Sequence, residues 1–180
     1  MLQLKEATSK KHKLAEQMPF NSRMFRGLLS ETEYLFYLYQ QLRIFQAIES
    51  IGLPHANLKR ADRILADIKE LEDKGNSANY VLTSTQAYAD YLNSLSYEEV
   101  LPHVYLNYMA IMFGGQMIKK KVPSTGNMYE FDDVKEVIQS IREVQKDEWA
   151  EEVNKGFDFN IAMFEELETE CTSGKLTSTV

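Results

Sequence analysis

MAIMFGGQMIKKK, residues 109–121, places two adjacent glycines inside an apolar run of helix formers that ends in three lysines. A glycine in a helix interior costs roughly 1 kcal/mol relative to alanine, so Gly114 and Gly115 together cost about 2 kcal/mol unless the missing side chains leave room for something. Upstream, Ser96 and Glu99 have capping-box spacing, which opens a helix predicted over about 97–121. The glycines therefore fall in the second half of a long helix, and helical patterning continues on both sides of it.

Residues 2–18 put Leu4, Thr8, His12 and Ala15 on one face and lysines on the others, the pattern of an amphipathic first helix. Ser30 and Glu33 form a second capping-box pair that opens an aromatic-rich helix to about Ile51. Asn57 is placed to cap a helix through Lys74, with Gly75 ending it in a left-handed turn. Thr83 to Gln86 repeats the box spacing and opens a helix over about 84–95. Pro123 to Asn127 is the clearest loop, and helical stripes follow over 134–144 and 148–170. No segment sustains strand alternation. The fold class expected is all-α, six to eight helices in a single domain over residues 1–170, with 171–180 as a flexible polar tail.

Composition narrows the function classes. The 180 residues are 44% hydrophobic and carry a net charge of −7, with a pI near 5.1. That field repels nucleic acid and anionic membrane, so neither is expected as a partner. One cysteine, Cys171, rules out an intrachain disulfide or a cysteine zinc site. No charged-then-apolar leader and no apolar run of about 18–20 residues is present, so the expectation is a soluble, cytoplasmic protein. A phosphate-cradling glycine loop is missing, and no Glu-x-x-His occurs to build a di-iron bundle site.

His12 lies on the less charged face of the first helix, with Glu16 one turn on. Its ordinary reading is a surface or half-buried histidine; its sharper reading is a metal or haem-iron ligand held by a neighbour. Gly114 and Gly115 divide in the same way between tight helix contact and close approach of a flat ligand. A planar cofactor between the first helix and the glycine helix accounts for both features, and that sandwich is a haem geometry. Lys5, two turns before His12, and Lys135 and Arg142, seven apart on a later helix, are solvated surface or anchors for propionates. Lys119, Lys120 and Lys121 are a solvated helix end or a dock for an acidic redox partner.

Three segments carry a family resemblance. LKEATSKKHKLAE (4–16) resembles the opening of haem oxygenases, HVYLNYMAIMFGGQMIKKK (103–121) their distal helix, and NIAMFEEL (160–167) their last core helix. They occur in order, with weaker similarity from about 4 to 168. The resemblance implies haem as cofactor and substrate, held between the two helices and opened with O2 and external electrons to biliverdin, carbon monoxide and ferrous iron. It matches His12 to the iron ligand, Glu16 to its acidic neighbour, and Gly114 and Gly115 to the distal glycines. Lys5 and Tyr105 match propionate contacts and Phe157 and Asn160 match pocket residues, whereas the family's Lys-x-x-x-Arg propionate pair is broken here, Lys135 being followed four residues later by Gln139, with Arg142 as a shifted substitute. Electrons are expected from outside, since the chain carries no flavin or iron-sulfur motif, and the resemblance to compact soluble microbial, plastid-type or virus-encoded members implies ferredoxin as the donor.

The departures bear on catalysis. Where the family has Gly-Asp, this chain has Ala110-Ile111; the family arginine is Asn107, the serine before the glycines is Phe113, and a helix-two tyrosine of animal members is Phe45. The family aspartate orders distal water for proton delivery, and an isoleucine offers neither acceptor nor reason for water to stay. The working reading is an active enzyme whose water is held by backbone near Ala110, by Asn107 or by Gln116. The alternatives are a haem carrier, sensor or peroxidase-like relic, and an unrelated helical protein such as a thiamine-salvage hydrolase.

Overall fold

Helix α1 (Leu4–Gln17) begins without a side-chain cap from its own Gln3. The first free amide, Leu4 N, instead donates to Asp147 Oδ1 at 2.8 Å, from a segment 143 residues away. A carboxylate there also meets the positive end of the helix dipole. The same device recurs. Helix α4 (Ala61–Asp73) starts where Ala61 N donates to Glu49 Oε1 at 3.0 Å, and α5 (Thr83–Asn93) starts where Ser84 N donates to Glu166 Oε2 at 2.8 Å. Three helix starts are thus set by carboxylates of distant helices or turns.

The computed structural model describes residues 2–177, and over these the chain forms nine α-helices with no strand. The remaining helices are α2 (Pro19–Phe25), α3 (Glu31–Ile51), α6 (Tyr97–Phe113), α7 (Gly115–Lys119), α8 (Val134–Val144) and α9 (Ala150–Thr172). The all-α expectation holds, although nine helices exceed the six to eight expected, and the Ser30–Glu33 box is present as read, with Glu33 N donating to Ser30 Oγ at 3.1 Å and Ser30 N to Glu33 Oε2 at 2.9 Å.

Four local expectations are corrected. The Asn57 cap is not used: residues Ala56–Leu58 make a 3-10 turn whose Asn57 N donates to His55 Nδ1 at 3.1 Å. The Thr83–Gln86 box gives way to the Glu166 cap. The helix expected over 97–121 is two helices divided at Gly114. The seven-residue α2, opened by Pro19 at its first position, was too short to announce itself by periodicity. At the C-terminus, α9 runs through Thr172 and Leu176 is buried, so packing continues past the expected boundary at residue 171. The end of that expected tail, 178–180, lies outside the described residues.

Helix α9 runs against α1, α2, α5 and α6, while α3 packs along α4, α5 and α6. A smaller apolar cluster of Leu4, Ala15, Leu101, Leu106, Trp149, Val153 and Phe157 seats α1 on α6 and α9. That cluster fixes the face of α1 that carries His12. Among the described residues no helix is long and apolar enough to cross a membrane.

Candidate active site

A cavity of about 730 Å³ opens between α1, α6, α7 and α9, inside the roughly 300–1,000 Å³ usual for small-molecule sites. The residues singled out from sequence that line it include Lys5, His12, Glu16, Tyr105, Asn107, Ala110, Ile111, Phe113, Gly114, Gly115, Arg142, Phe157 and Asn160. The chain folds them together because α1 and α9 are packed side by side and α6 crosses α9, each contributing one wall.

His12 is exposed on the α1 wall, 57% in its side chain, with Nε2 3.7 Å from Glu16 Oε1. At that separation the carboxylate is a charge contact rather than a hydrogen bond. The imidazole stands edge-on to Phe157, ring centroids 5.8 Å apart at 87°. His12 is the one histidine at this cavity: His55 serves its 3-10 turn and His103 is fully buried behind the wall. No group of three His, Cys, Asp or Glu side chains gathers for a metal ion among the described residues. A porphyrin brings four nitrogens of its own, so a single histidine beside a large apolar slot suits it.

At the polar edge, Tyr105 and Arg142 lie close enough to interact. Burial raises the Tyr105 phenol above its ordinary range, and the Arg142 guanidinium pulls it back. With Lys5 they form a set of donors suited to carboxylates. Lys135 does not join them: it is exposed and does not line the cavity. Seven residues of helix amount to about 10 Å along the axis, so only the last turn of α8 reaches the edge. Gln139 is likewise turned away, onto Glu143 at 3.2 Å.

The two glycines separate in role. A Cβ on Gly115 would lie 2.4 Å from Tyr129 Cδ1, so its missing side chain is filled by the Tyr129 ring. A Cβ on Gly114 would meet only Ala110 O at 3.3 Å and Phe25 Cζ at 3.7 Å. Gly115→Ala is expected to destabilise the protein by about 1–3 kcal/mol through overpacking, whereas Gly114→Ala, at helical φ −65° with no contact under 3.3 Å, is expected to be neutral or to stabilise by up to about 1 kcal/mol. Urea denaturation of both variants checks this; equal losses would refute the division.

The distal departures are now located. Ile111 is buried and lines the cavity. Phe45 does not: it lies in the core against Tyr108, centroids 4.9 Å apart. Gln116 is also absent from the lining and donates to Tyr129 O at 2.9 Å. Asn107 does line it, 8% exposed, with Asn160 Nδ2 donating to its Oδ1 at 3.2 Å. Sequence reading missed Asn21, Gln41 and Gln145, which also line the wall. For Gln41 a signal existed, a glutamine pair inside the apolar run of α3.

Of the three C-terminal lysines of the glycine segment, Lys119 is paired with Glu130 and Lys121 Nζ donates to Phe25 O at 2.8 Å. Lys120 is exposed and has neither kind of partner among the described residues.

The family model for heme oxygenase matches residues 1–166. Among curated relatives, the heme oxygenase of Guillardia theta is 24% identical, covering 93% of this chain and 85% of that protein. Heme oxygenase 1 of Synechocystis sp. is 26% identical over 92% of this chain and 83% of its own. The crystal structure of the cyanobacterial heme oxygenase-1 in complex with heme aligns at TM-score 0.76, 22% identical, covering 95% of this chain and 93% of that one. Heme oxygenase-2 from Synechocystis, in complex with heme and NO, aligns at 0.77 with 20% identity, covering 98% and 91%. At such identities the structural likeness speaks for the fold.

Proposed function

The chain belongs to the haem oxygenase family, and from that membership and the cavity we propose that it opens haem with O2 and external electrons to biliverdin, carbon monoxide and ferrous iron. The observation that carries this reading is a single cavity with His12 on one wall and Gly114 beside Ile111 on another. When bound, haem supplies both the iron that takes O2 and the macrocycle that is opened.

The chain's own residues divide the remaining work. His12 is the iron ligand through a neutral imidazole, with Glu16 near enough to bias its orientation. Lys5, Tyr105 and Arg142 meet the propionates and fix the macrocycle's rotation in the slot. Gly114 leaves space at the distal wall, while Ile111 and Phe157 keep bulk water out. Ferredoxin is the proposed donor, docking by its acidic surface near Lys119, Lys120 and Lys121. Lys120 is the free cation of that group among the described residues, while Lys119 is paired with Glu130 and Lys121 donates to Phe25 O.

The test is a haemin titration of the purified protein, followed by a ferredoxin reducing system in air with absorption spectra taken over time. Decay of the Soret band with growth of biliverdin's broad red absorption is expected. A stable Soret band, or bleaching without biliverdin, would overturn the oxygenase reading in favour of a carrier or peroxidase-like protein. A parallel run with ascorbate separates failure of the donor from failure of the chemistry.

A further inference from the structure

With Ile111 in place of a carboxylate, the polar side chains of α6 that line the cavity are Tyr105, at the edge with Arg142, and Asn107, one turn before Ile111. A carboxamide is useful there only if its orientation is fixed, because its oxygen accepts hydrogen bonds and its nitrogen donates them. Both Asn107 donors are engaged away from the cavity: Nδ2 donates to His103 O at 2.9 Å and to the Tyr88 hydroxyl at 3.0 Å. Oδ1 accepts one bond from Asn160. One lone pair remains.

The direction is imposed from the far side. Tyr88 is buried, and its hydroxyl lies 2.8 Å from His103 Nδ1. The ionised Glu152 beside Nε2 can only accept, so neutral His103 carries its proton on Nε2; its bare Nδ1 takes the Tyr88 hydrogen, and the Tyr88 oxygen is left to accept from Asn107. Nε2 lies 3.0 Å from Glu152 Oε1, a carboxylate that also accepts from the Tyr91 hydroxyl and keeps 32% of its side chain exposed. An ionised carboxylate can only accept, so every bond runs outward from Asn107 through Tyr88 and His103 to Glu152. Burial holds His103 below its ordinary pKa, against the opposing pull of Glu152 and with help from Lys155. The groups facing the imidazole are therefore Tyr88 and Tyr91 from α5 and Glu152 and Lys155 from α9. The imidazole has room because residue 156 is glycine: a Cβ there would sit 3.0 Å from Nδ1.

We propose that Tyr88, His103 and Glu152 are positioning residues that lock the Asn107 carboxamide with its oxygen toward the cavity, making Oδ1 the acceptor that holds distal water in place of the missing carboxylate. The chain is not a proton wire, since the amide N–H that opens it does not hand on a proton. The inference rests on the haem oxygenase reading for what the water serves, but the lock itself belongs to the protein without haem.

Two measurements test it. In the haem-free protein, long-range nitrogen–proton NMR of the His103 ring should show Nδ1 unprotonated and Nε2 protonated; the opposite tautomer would overturn the lock. In the ferric haem complex, an acceptor beside the distal site favours water, which donates to it, over hydroxide. Asn107→Leu should therefore lower the midpoint of the acid-to-alkaline spectral change by about one pH unit, the worth of one hydrogen bond. Glu152→Leu, which removes the acceptor and does not line the cavity, should move the midpoint in the same direction, and Glu152→Gln, whose amide oxygen can still accept from Nε2, should move it less. A shift in Asn107→Leu with none in Glu152→Leu would show that Asn107 acts without the lock. Failure to bind haem would defeat the proposed function and leave the tautomer to decide on the lock.

Discussion

His12→Ala should yield a folded protein that takes up haemin without the spectrum of a histidine-ligated iron and turns it over hardly at all. The two halves of this expectation have different sources. His12 is 57% exposed in its side chain, with a T-shaped ring contact to Phe157 and Glu16 at 3.7 Å. Removing such a side chain costs little stability, within about 0.5 kcal/mol. Ligation has no substitute, because no other histidine lines the cavity. The loss in turnover should exceed the roughly 10–100-fold that the outer partners of a ligating histidine are worth, and Glu16→Gln should stay within that range. Haemin titration followed by absorption checks the ligand, and added imidazole should recover part of the spectrum. An unchanged Soret band in His12→Ala would remove His12 from the site.

What was legible in the sequence was what depends on near neighbours. The face of α1, the Ser30–Glu33 box and the stripe of α9 each announce themselves within one or two turns. The segment 109–121 gave the right question, why two glycines sit together, but only half of the answer. Gly114 borders the cavity, whereas Gly115 is required by Tyr129, fourteen positions on, and nothing in the local pattern ties the two. The same reach defeats local reading at α1, α4 and α5, whose first amides bond to Asp147, Glu49 and Glu166. Lys135 failed for a geometric reason: sharing a helix face with Arg142 does not bring both to one end of the helix. The loss of the distal carboxylate at Ile111 was visible, but the Asn107 arrangement that stands beside it is assembled from α5, α6 and α9.

A second large effect is expected far from any ligand, at Asp67. This carboxylate is fully buried on α4. Its Oδ1 accepts from Gly126 N at 3.1 Å, Asn127 N at 2.9 Å and Asn127 Nδ2 at 3.0 Å, and its Oδ2 from Met128 N at 2.8 Å. Asp67→Ala would strand the amides of Asn127 and Met128 and leave Gly126 N with Ser124 Oγ alone, at 3.1 Å, in a turn already set by Gly126 in the left-handed region, φ 76°. Each stranded buried donor costs about 1–3 kcal/mol, so a loss of about 3–5 kcal/mol is expected. That is a large share of the roughly 5–15 kcal/mol by which a domain of this kind is stable. The consequence for the site runs through Tyr129, which follows this turn, fills the space over Gly115 and lines the cavity. Arg60 supports the same stretch by donating to Met128 O at 3.3 Å, and Gln116 by holding Tyr129 O. Asp67→Ala should therefore weaken haem binding as well as lower the urea midpoint, because α7 leans on a ring whose backbone has lost its anchor. A stability loss below about 1 kcal/mol would mean that Arg60 and Gln116 hold the turn without the carboxylate. Normal haem affinity beside a large stability loss would mean that Tyr129 packs on Gly115 whether or not the turn beneath it is pinned.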